Sequence, residues 1–192
     1  YFGGAVSANG QADALDDELK SLTAALPGKV DAAMDALDVP TALIAIFEVV
    51  QRANKYIDET APWVLAKDET KRARLATVMY NLLETIRICA VLLTPFIPDS
   101  AEKIFDQIGA CPCCRTWEKA NVWGSLRPDV TVHKGEALFP RIDAEKALAE
   151  LNAIQEAQRK AALPALELEP YAQENVDFDT FCKSDLRAVK IK

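Results

Sequence analysis

A tryptophan that directly follows a helix-ending proline is the residue of this chain best suited to recognise a ligand by contact. Pro62 interrupts an apolar, helix-forming segment, and Trp63 comes immediately after it. An exposed indole offers a flat π face on which an unpaired nucleic-acid base can stack, and nearby cations strengthen such binding. Arg52, Lys55 and Lys67 flank the pair in the sequence. The same position also fits an indole packed in the core, because tryptophan is largely buried on average.

An asparagine falls on the apolar side of the segment that precedes this proline. Helical spacing predicts one apolar stripe, which is formed by Leu43, Ile46, Phe47, Val50, Asn54 and Ile57. The same spacing predicts an opposite, solvated face at Glu48, Gln51, Arg52 and Lys55. A buried amide must find hydrogen-bond partners or it costs free energy. We therefore predict that Asn54 is either a structural amide that holds neighbouring backbone or a polar group at the base of a binding surface.

Three of the five cysteines lie close together: Cys111, Cys113 and Cys114. Structural zinc sites generally pair cysteines that are separated by about two to four residues, and they need four ligands. These cysteines are adjacent or separated by one residue, and His133 is distant, so a local disulfide fits at least as well and we predict no metal site. Cys89 and Cys182 lack an obvious partner, which favours a reduced, cytoplasmic setting.

Catalytic motifs are missing from the sequence. It has neither a phosphate-binding loop of the GxxxxGK[ST] type nor a GxGxxG run. A Ser-His-Asp arrangement would have to use His133, and no nucleophile is placed for it. Carboxylates are abundant, but most lie in an N-terminal helix that we expect to be solvated. We predict no catalytic residue and no cofactor for this chain by itself.

Composition and charge narrow the class of protein. The chain has 192 residues, of which 50% are hydrophobic, and that is enough to bury the core of one domain. A net charge of −7 argues against a non-specific nucleic-acid coat protein, although residues 52–74 are locally basic. No uninterrupted apolar run is long enough to span a bilayer, so we expect no membrane partner. The sequence lacks a signal peptide and an initiator Met, and we expect a fragment of a longer protein.

Hydrophobic periodicity indicates a chain made mainly of helices. A first helical region over residues 11–37 is interrupted by Pro27-Gly28, which predicts a kink or two short helices. Further helices are predicted over residues 38–61, 70–94, 98–109 and 143–162. Residues 110–142 read as an irregular excursion across the bundle, and residues 163–176 as a linker. The prediction is an all-α, antiparallel helix bundle with this excursion and a C-terminal helix.

Several runs of residues, in the same order, resemble one known family. They are ANKYIDETAPWVLAK at 53–67, YNLLE at 80–84, LLTPFIP at 92–98, AEKIF at 101–105, WG at 123–124 and GEALFPRID at 135–143. Over residues 1–160 the chain is similar to the anticodon-binding domain of bacterial methionyl-tRNA synthetases. The Cys111–Cys114 loop departs from the pattern, since we expect an acidic, cysteine-poor segment there.

The resemblance implies that residues 1–162 form a helical domain that recognises the anticodon loop of tRNA(Met). Trp63 matches the tryptophan that the family uses at the anticodon. The tRNA-binding residues that we expect are Trp63, Asn54, Pro62, Arg52 and Lys55, with Lys67 and Arg74 as further candidates for phosphate contacts. The alternative is a structural helical domain that buttresses a partner domain, with Trp63 and Asn54 in its core.

The resemblance also implies what lies outside this chain. The family joins methionine to its tRNA with ATP and Mg, and that chemistry needs a nucleotide-binding domain with HIGH and KMSKS motifs, which this sequence lacks. We therefore expect a parent methionine–tRNA ligase whose catalytic domain is a partner in the same chain. Residues 177–192 resemble the truncated start of a tRNA-binding OB-fold domain, with a first strand over 186–192. In the family that domain supports a homodimer.

Overall fold

Three helices of equal length pack against one another at the centre of the fold. The computed structural model describes residues 2–7, 10–162, 175–184 and 187–188. The central helices are α1 (Ala14–Asp35), α2 (Val39–Thr60) and α4 (Arg72–Leu93), each of 22 residues. The link between α1 and α2 is only a few residues long, as in antiparallel neighbours. The predicted all-α class is confirmed.

Shorter elements complete the described chain. One-turn helices are α3 (Pro62–Leu65) and α6 (Trp117–Ala120), and 3-10 turns cover Phe2–Gly4, Glu69–Lys71 and Pro112–Cys114. The remaining helices are α5 (Pro98–Gln107), α7 (Ala144–Ala162) and α8 (Phe178–Cys182). Strands β1 (Ala5–Ser7) and β2 (Asp129–Thr131) pair antiparallel, with Val6 opposite Val130. These three-residue strands are too short to leave a periodic signal, and the sequence analysis missed them.

The first helix is one continuous element, so the predicted alternative of two short helices is wrong. It begins with a capping box, in which Asp13 N–H donates to the Asp16 carboxylate at 2.9 Å. Pro27 lies inside the helix, where it lacks the N–H that would reach the preceding turn. The proline side chain is buried with Leu26 and Val30. Packing of this face against the bundle therefore offsets the missing hydrogen bond.

The buried face of α2 differs from the predicted stripe. Its core side is formed by Ala42, Ala45, Ile46, Val49, Arg52, Ala53, Tyr56 and Thr60. Phe47, which was predicted to be buried, is 52% exposed, and Asn54 is exposed as well. Arg52, which was predicted to be solvated, is buried. The contact face therefore combines small alanines with Ile46, Val49 and Tyr56, and it does not include Phe47.

The α4 helix is the core helix of the bundle. By length and hydropathy the segment Glu69–Leu93 could cross a membrane, and it is the one such helix among the described residues. However, 89% of its most apolar stretch is buried inside the fold. It also carries Glu84 and Arg87, a fully buried ion pair that hydrogen-bonds to the polypeptide packed around it. The high hydropathy of α4 therefore reflects the burial of this helix on nearly all sides.

Two apolar clusters make up the core of the part of the chain that the structure describes. The larger one runs from Leu26 and Val30 through the second half of α4 to Phe105 and Val130. The smaller cluster is formed by Leu19, Ala53, Tyr56, Val78 and Leu82, and Leu15, Ile57 and Leu65 pack against it. Because Leu65 belongs to α3, the smaller cluster is the part of the core that supports the Pro62-Trp63 segment.

The chain divides into two compact units, Tyr1–Pro140 and Arg141–Lys192. The first contains the bundle and the excursion. The second contains α7, which confirms the predicted C-terminal helix, and the short α8. Nearly all of the predicted linker over 163–176 and of the predicted strand over 186–192 lies outside the described residues. The assignment of these segments stays a prediction.

Candidate nucleic-acid interface

A left-handed residue ends α2 and turns the chain into α3. Ala61 has φ 42° and ψ 62°, and its N–H donates to Ile57 O at 2.9 Å. A residue that precedes proline avoids the right-handed helical region, because the proline ring clashes with it there. Pro62 then occupies the first position of α3, where its missing N–H costs nothing. The expected connecting turn is thus a one-turn helix with a defined direction.

The two sides of α3 differ in exposure. Pro62 is buried and Leu65 packs on the smaller cluster, since residues three apart lie on the same side of a helix. Trp63 and Val64 point away from the core and are 48% and 51% exposed. The indole of Trp63 is therefore accessible on a segment that the core holds in place. The interpretation of Trp63 as a core residue is wrong.

A buried polar network ties α1, α2 and α4 together next to the smaller cluster. Asp16 is fully buried, and its carboxylate receives two hydrogen bonds from Arg74, at 2.6 and 2.8 Å. The hydroxyl of Tyr56 donates to the same carboxylate at 2.5 Å, and Asn81 Nδ2 lies 3.3 Å from that hydroxyl. Thr60 Oγ1 then donates to the carbonyl of Tyr56 at 2.6 Å, at the last turn before α3.

Contacts within this network shift the pKa values of Asp16 and Tyr56 and so determine their protonation states. Burial alone raises the pKa of Asp16, but the hydrogen bonds from Arg74 and Tyr56 outweigh it and hold the pKa below its ordinary value. Burial, followed by the nearby Asp16 carboxylate, raises the pKa of Tyr56 to about 12. Asp16 is therefore a buried anion paired with Arg74, and Tyr56 stays a neutral hydrogen-bond donor. The expectation that the N-terminal carboxylates are mostly solvated is wrong for Asp16.

Of the four cations that were expected to contact phosphates, two are enclosed in ion pairs between helices. Arg52 is buried between Glu18 and Glu59, with N–O distances of 2.8 and 3.0 Å. Arg74 is held by Asp16. Arg52 therefore does not lie on a solvated face, because its neighbours on the contact side of α2 carry it into the α1 interface.

The other two cations remain exposed. The Lys55 side chain is 70% exposed and lies 3.6 Å from Glu59, one turn along α2. Lys67, two residues after the end of α3, is exposed too. The structure thus leaves Lys55 and Lys67 as accessible positive charges on either side of the Pro62-Trp63 segment in the sequence.

Asn54 borders an apolar groove and is not a buried structural amide. The groove lies between α2 and α4, has a volume of about 310 Å³, and is lined on the α2 side by Val50, Ala53, Asn54 and Ile57. Met79 and Ile86 line it from α4. Trp63 is not part of this groove. Asn54 therefore lines a groove that does not include the indole with which the sequence analysis grouped it.

The cysteine-rich loop has a disulfide between Cys111 and Cys113. Among the described residues no group of three or more His, Cys, Asp or Glu side chains is arranged to hold a metal ion. Of the alternatives that the sequence left open for this loop, the structure shows the local disulfide.

Comparison with known proteins identifies the family. The model of the anticodon binding domain of methionyl tRNA ligase matches residues 5–158. The chain belongs to this family. The match covers the α3 segment, the exposed Trp63 and the cysteine-containing loop, so the surface described above lies within the anticodon-binding domain.

Relatives of known sequence and structure agree with the family. The chain is 46% identical over 191 residues to the methionine–tRNA ligase of Clostridium perfringens (strain 13 / Type A) and 36% identical over 196 residues to that of Bacillus subtilis (strain 168). In both cases all of this chain is covered, but it spans only 29% of the relative's length. The free-state crystal structure of Mycobacterium tuberculosis methionyl-tRNA synthetase matches 74% of this chain and 29% of its own, with 33% identity and a TM-score of 0.69. The expected family and its helical fold are confirmed.

Proposed function

We propose that this chain recognises the anticodon loop of tRNA(Met), with Trp63 as the stacking platform for an unpaired base. The observation that carries the proposal is the 48% exposed indole on α3, in a chain of the anticodon-binding family. Leu65 and Pro62 fix α3 to the core, so the backbone that carries the ring is already ordered when RNA binds. A platform ordered beforehand loses less conformational entropy on binding.

The accessible positive charges near α3 support contact with a small, local part of the RNA backbone. Lys55 and Lys67 are accessible cations on either side of α3 in the sequence, and each can neutralise one phosphate. Arg52 belongs to the support of the surface, because its pairs with Glu18 and Glu59 join α1 to the last turns of α2. Pro62 likewise acts by setting the direction of α3. Asn54 is exposed at the groove between α2 and α4, and its amide would contact the tRNA from there.

Tryptophan fluorescence tests the stacking role. The chain has three tryptophans, and Trp63 is the exposed one, whereas Trp117 and Trp123 are partly buried against the core. An RNA stem-loop with the CAU anticodon should quench the emission of the protein on titration. Trp63→Phe should abolish the quenching, whereas the matched variant Trp117→Phe should retain it. A stem-loop with a scrambled anticodon serves as the RNA control.

Quenching that survives in Trp63→Phe would assign the RNA contact to another surface. Absence of quenching in all variants, at any RNA concentration, would favour a structural role for this domain. That alternative, a helical domain that buttresses a partner domain, is supported by one observation: the apolar groove between α2 and α4, where Ile86 is 40% exposed. The titration therefore separates the two functions.

We further propose that the whole protein is a cytoplasmic methionine–tRNA ligase. In such a protein ATP and Mg would be bound by a catalytic domain outside this chain, which would also be the intramolecular partner of the bundle. Residues 1–162 would form the anticodon-binding domain, and residues 163–176 would be a linker. Residues 177–192 would begin a tRNA-binding OB-fold domain that supports a homodimer. The relatives named above support the ligase assignment through their names and lengths.

A further inference from the structure

The turn between α5 and α6 brings three sulfur atoms together. Cys111 and Cys113 share a disulfide, and the Sγ of Cys114 lies 3.5 Å from the Sγ of Cys111. Residues Pro112–Cys114 form a 3-10 turn, closed by a 3.0 Å hydrogen bond from Cys114 N–H to Cys111 O. Side chains three residues apart eclipse one another in a 3-10 turn. The turn therefore places the free thiol of Cys114 beside one sulfur of the disulfide.

The three cysteines differ in their access to solvent. Cys113 is exposed, Cys111 is partly buried and Cys114 is only 1% exposed. The Cys114 thiol donates to the carbonyl of Cys111 at 3.0 Å. A solvent reagent can thus reach Cys113 most easily, whereas Cys114 meets little besides its neighbours in the turn.

Two arginines hold the turn in position. Arg87, which is fully buried in α4, donates from Nη1 to the Cys114 carbonyl at 2.9 Å. Arg115 donates from Nε to the carbonyl of Ala110 at 2.9 Å and pairs with Glu102 of α5. The backbone on both sides of the cysteines is therefore anchored, and the short sulfur–sulfur distance is a property of the folded domain.

We propose that Cys111, Cys113 and Cys114 form a thiol–disulfide exchange site with two alternative disulfides, which we call registers. The Cys111–Cys113 register leaves Cys114 as the free thiol, and the Cys111–Cys114 register leaves Cys113 as the free thiol. The Cys114 thiol loses its proton to solvent, and its thiolate attacks Cys111 Sγ. A bond forms between Cys114 and Cys111 while the bond between Cys111 and Cys113 breaks. The electron pair leaves on Cys113, whose thiolate takes up a proton. Each register holds one disulfide and one thiol, so the step needs no external oxidant or reductant.

The exchange determines which cysteine thiol is exposed to reagents in the solvent. In the register of the structure the free thiol is the buried Cys114, and in the other register it is the exposed Cys113. Cys113 becomes the modification site for thiol-reactive electrophiles and low-molecular-weight disulfides, but only while Cys114 is present to release it. This site does not depend on the proposed RNA contact.

Peptide mapping of the full-length protein tests the proposal. The protein, purified without reductant, is treated briefly with N-ethylmaleimide in the native state and is then quenched in acid. Trypsin releases the segment Ile104–Arg115, which contains these three cysteines and no others. Its fragment ions locate the label. We expect one label, mainly on Cys113, even though Cys113 is disulfide-bonded in the structure.

Variants of each cysteine give the contrasting results. In Cys114→Ser the unreduced peptide should carry no label, and it should take two labels after reduction. In Cys113→Ser, oxidised glutathione should drive formation of the Cys111–Cys114 disulfide, seen as a peptide that has lost two hydrogens and carries no glutathione. In Cys111→Ser the exposed Cys113 should instead carry glutathione as a mixed disulfide.

Three outcomes overturn the exchange site. A wild-type peptide that carries no label, or a label only on Cys114, would show that the registers do not interconvert. Three labels without reduction would show that the disulfide is absent. A Cys113→Ser protein that keeps two free thiols after treatment with oxidised glutathione would show that Cys111 and Cys114 cannot bond.

Discussion

Arg87 and Glu84, three residues apart on α4, form an ion pair that is completely enclosed by the protein. Nη2 of Arg87 lies 2.7 Å from Oε1 of Glu84, and neither side chain is exposed. The guanidinium also donates to the carbonyls of Cys114, Lys119 and Val122, while the carboxylate accepts from the N–H groups of Gly124, Ser125 and Leu126. The Glu84–Arg87 pair on α4 therefore provides hydrogen-bond partners for backbone groups of the segment that was predicted to be irregular.

Arg87→Met should strongly destabilise the bundle. The substitution leaves Glu84 as a buried charge without its counter-ion and removes the donors to three loop carbonyls, so we expect a loss of about 3–5 kcal/mol in the free energy of unfolding. Urea denaturation followed by circular dichroism measures it. The matched variant Lys71→Met, whose pair with Asp68 is exposed, should lose at most about 0.5 kcal/mol. Equal losses in the two variants would contradict an organising role for the buried pair.

Asp16→Asn should change how stability depends on pH. The pKa of Asp16 is lower in the folded state than its ordinary value of 3.8. The ionised carboxylate therefore stabilises the fold above that value, and this contribution is lost as the pH falls through the lower, folded pKa. At pH 7 we expect Asp16→Asn to be less stable by about 3 kcal/mol, because Arg74 loses its counter-ion.

The difference between wild type and Asp16→Asn should narrow on acidification below pH 4, measured by urea denaturation at a series of pH values. Asp17→Asn, an exposed position in the same turn of α1, should follow the wild type throughout. A stability difference that stays constant from pH 7 to pH 3 would show that the ionisation of Asp16 is not linked to folding.

The elements themselves were largely predictable from local signals. Pro62 and Pro95 stop helices because of their covalent structure, and the apolar periodicity between them predicted α4 to within a few residues. The left-handed Ala61 was missed, although a residue before proline is biased away from the right-handed helix and so carries a signal. Local sequence therefore places the ends of α2 and α4, whereas the effect of Pro27 in α1 depends on its burial in the core.

The roles of charged residues were not predictable, because their partners are distant in the sequence. Asp16 contacts Tyr56 and Arg74, which lie 40 and 58 positions further along the chain. The sequence analysis predicted Arg52 on the solvated face of α2. Its ion pair with Glu18 of α1 instead holds it in the interface between the two helices. Both contacts depend on how α2 is rotated about its own axis. A stripe chosen only from large apolar side chains predicts that rotation incorrectly.

Ala61→Gly should stabilise the domain. Ala61 has φ 42°, where a Cβ atom costs roughly 1–2 kcal/mol. Glycine removes this strain but increases the entropy of the unfolded chain, so the net gain should be about 0.5–1 kcal/mol. Ala24→Gly, at an exposed and right-handed position inside α1, should instead lose about 1 kcal/mol. Thermal or urea unfolding compares the two, and a loss in both variants would argue against strain at Ala61.

Trp63→Ala should weaken binding of the anticodon stem-loop without unfolding the domain. One base–aromatic stack is worth about 1–3 kcal/mol, which corresponds to a roughly 5- to 150-fold increase in Kd. Val64→Ala, which truncates the equally exposed neighbour on α3, should leave Kd nearly unchanged. Fluorescence anisotropy of labelled RNA measures both. Tight binding by Trp63→Ala would eliminate the indole as the platform.

Lys67→Gln and Arg52→Gln should separate contact with phosphate from support of the fold. Lys67 is exposed beside α3, so its loss should reduce the slope of log K against log salt by about 0.7 for a single-stranded contact and leave the free energy of unfolding within about 0.5 kcal/mol. Arg52 is enclosed by Glu18 and Glu59, so Arg52→Gln should lose about 2 kcal/mol of stability while the salt slope stays the same. RNA titrations at several salt concentrations, combined with urea denaturation, measure both quantities. A reduced slope in Arg52→Gln would mean that this arginine leaves its carboxylates to meet the RNA, because a cation held in an internal pair releases no counter-ions from a phosphate.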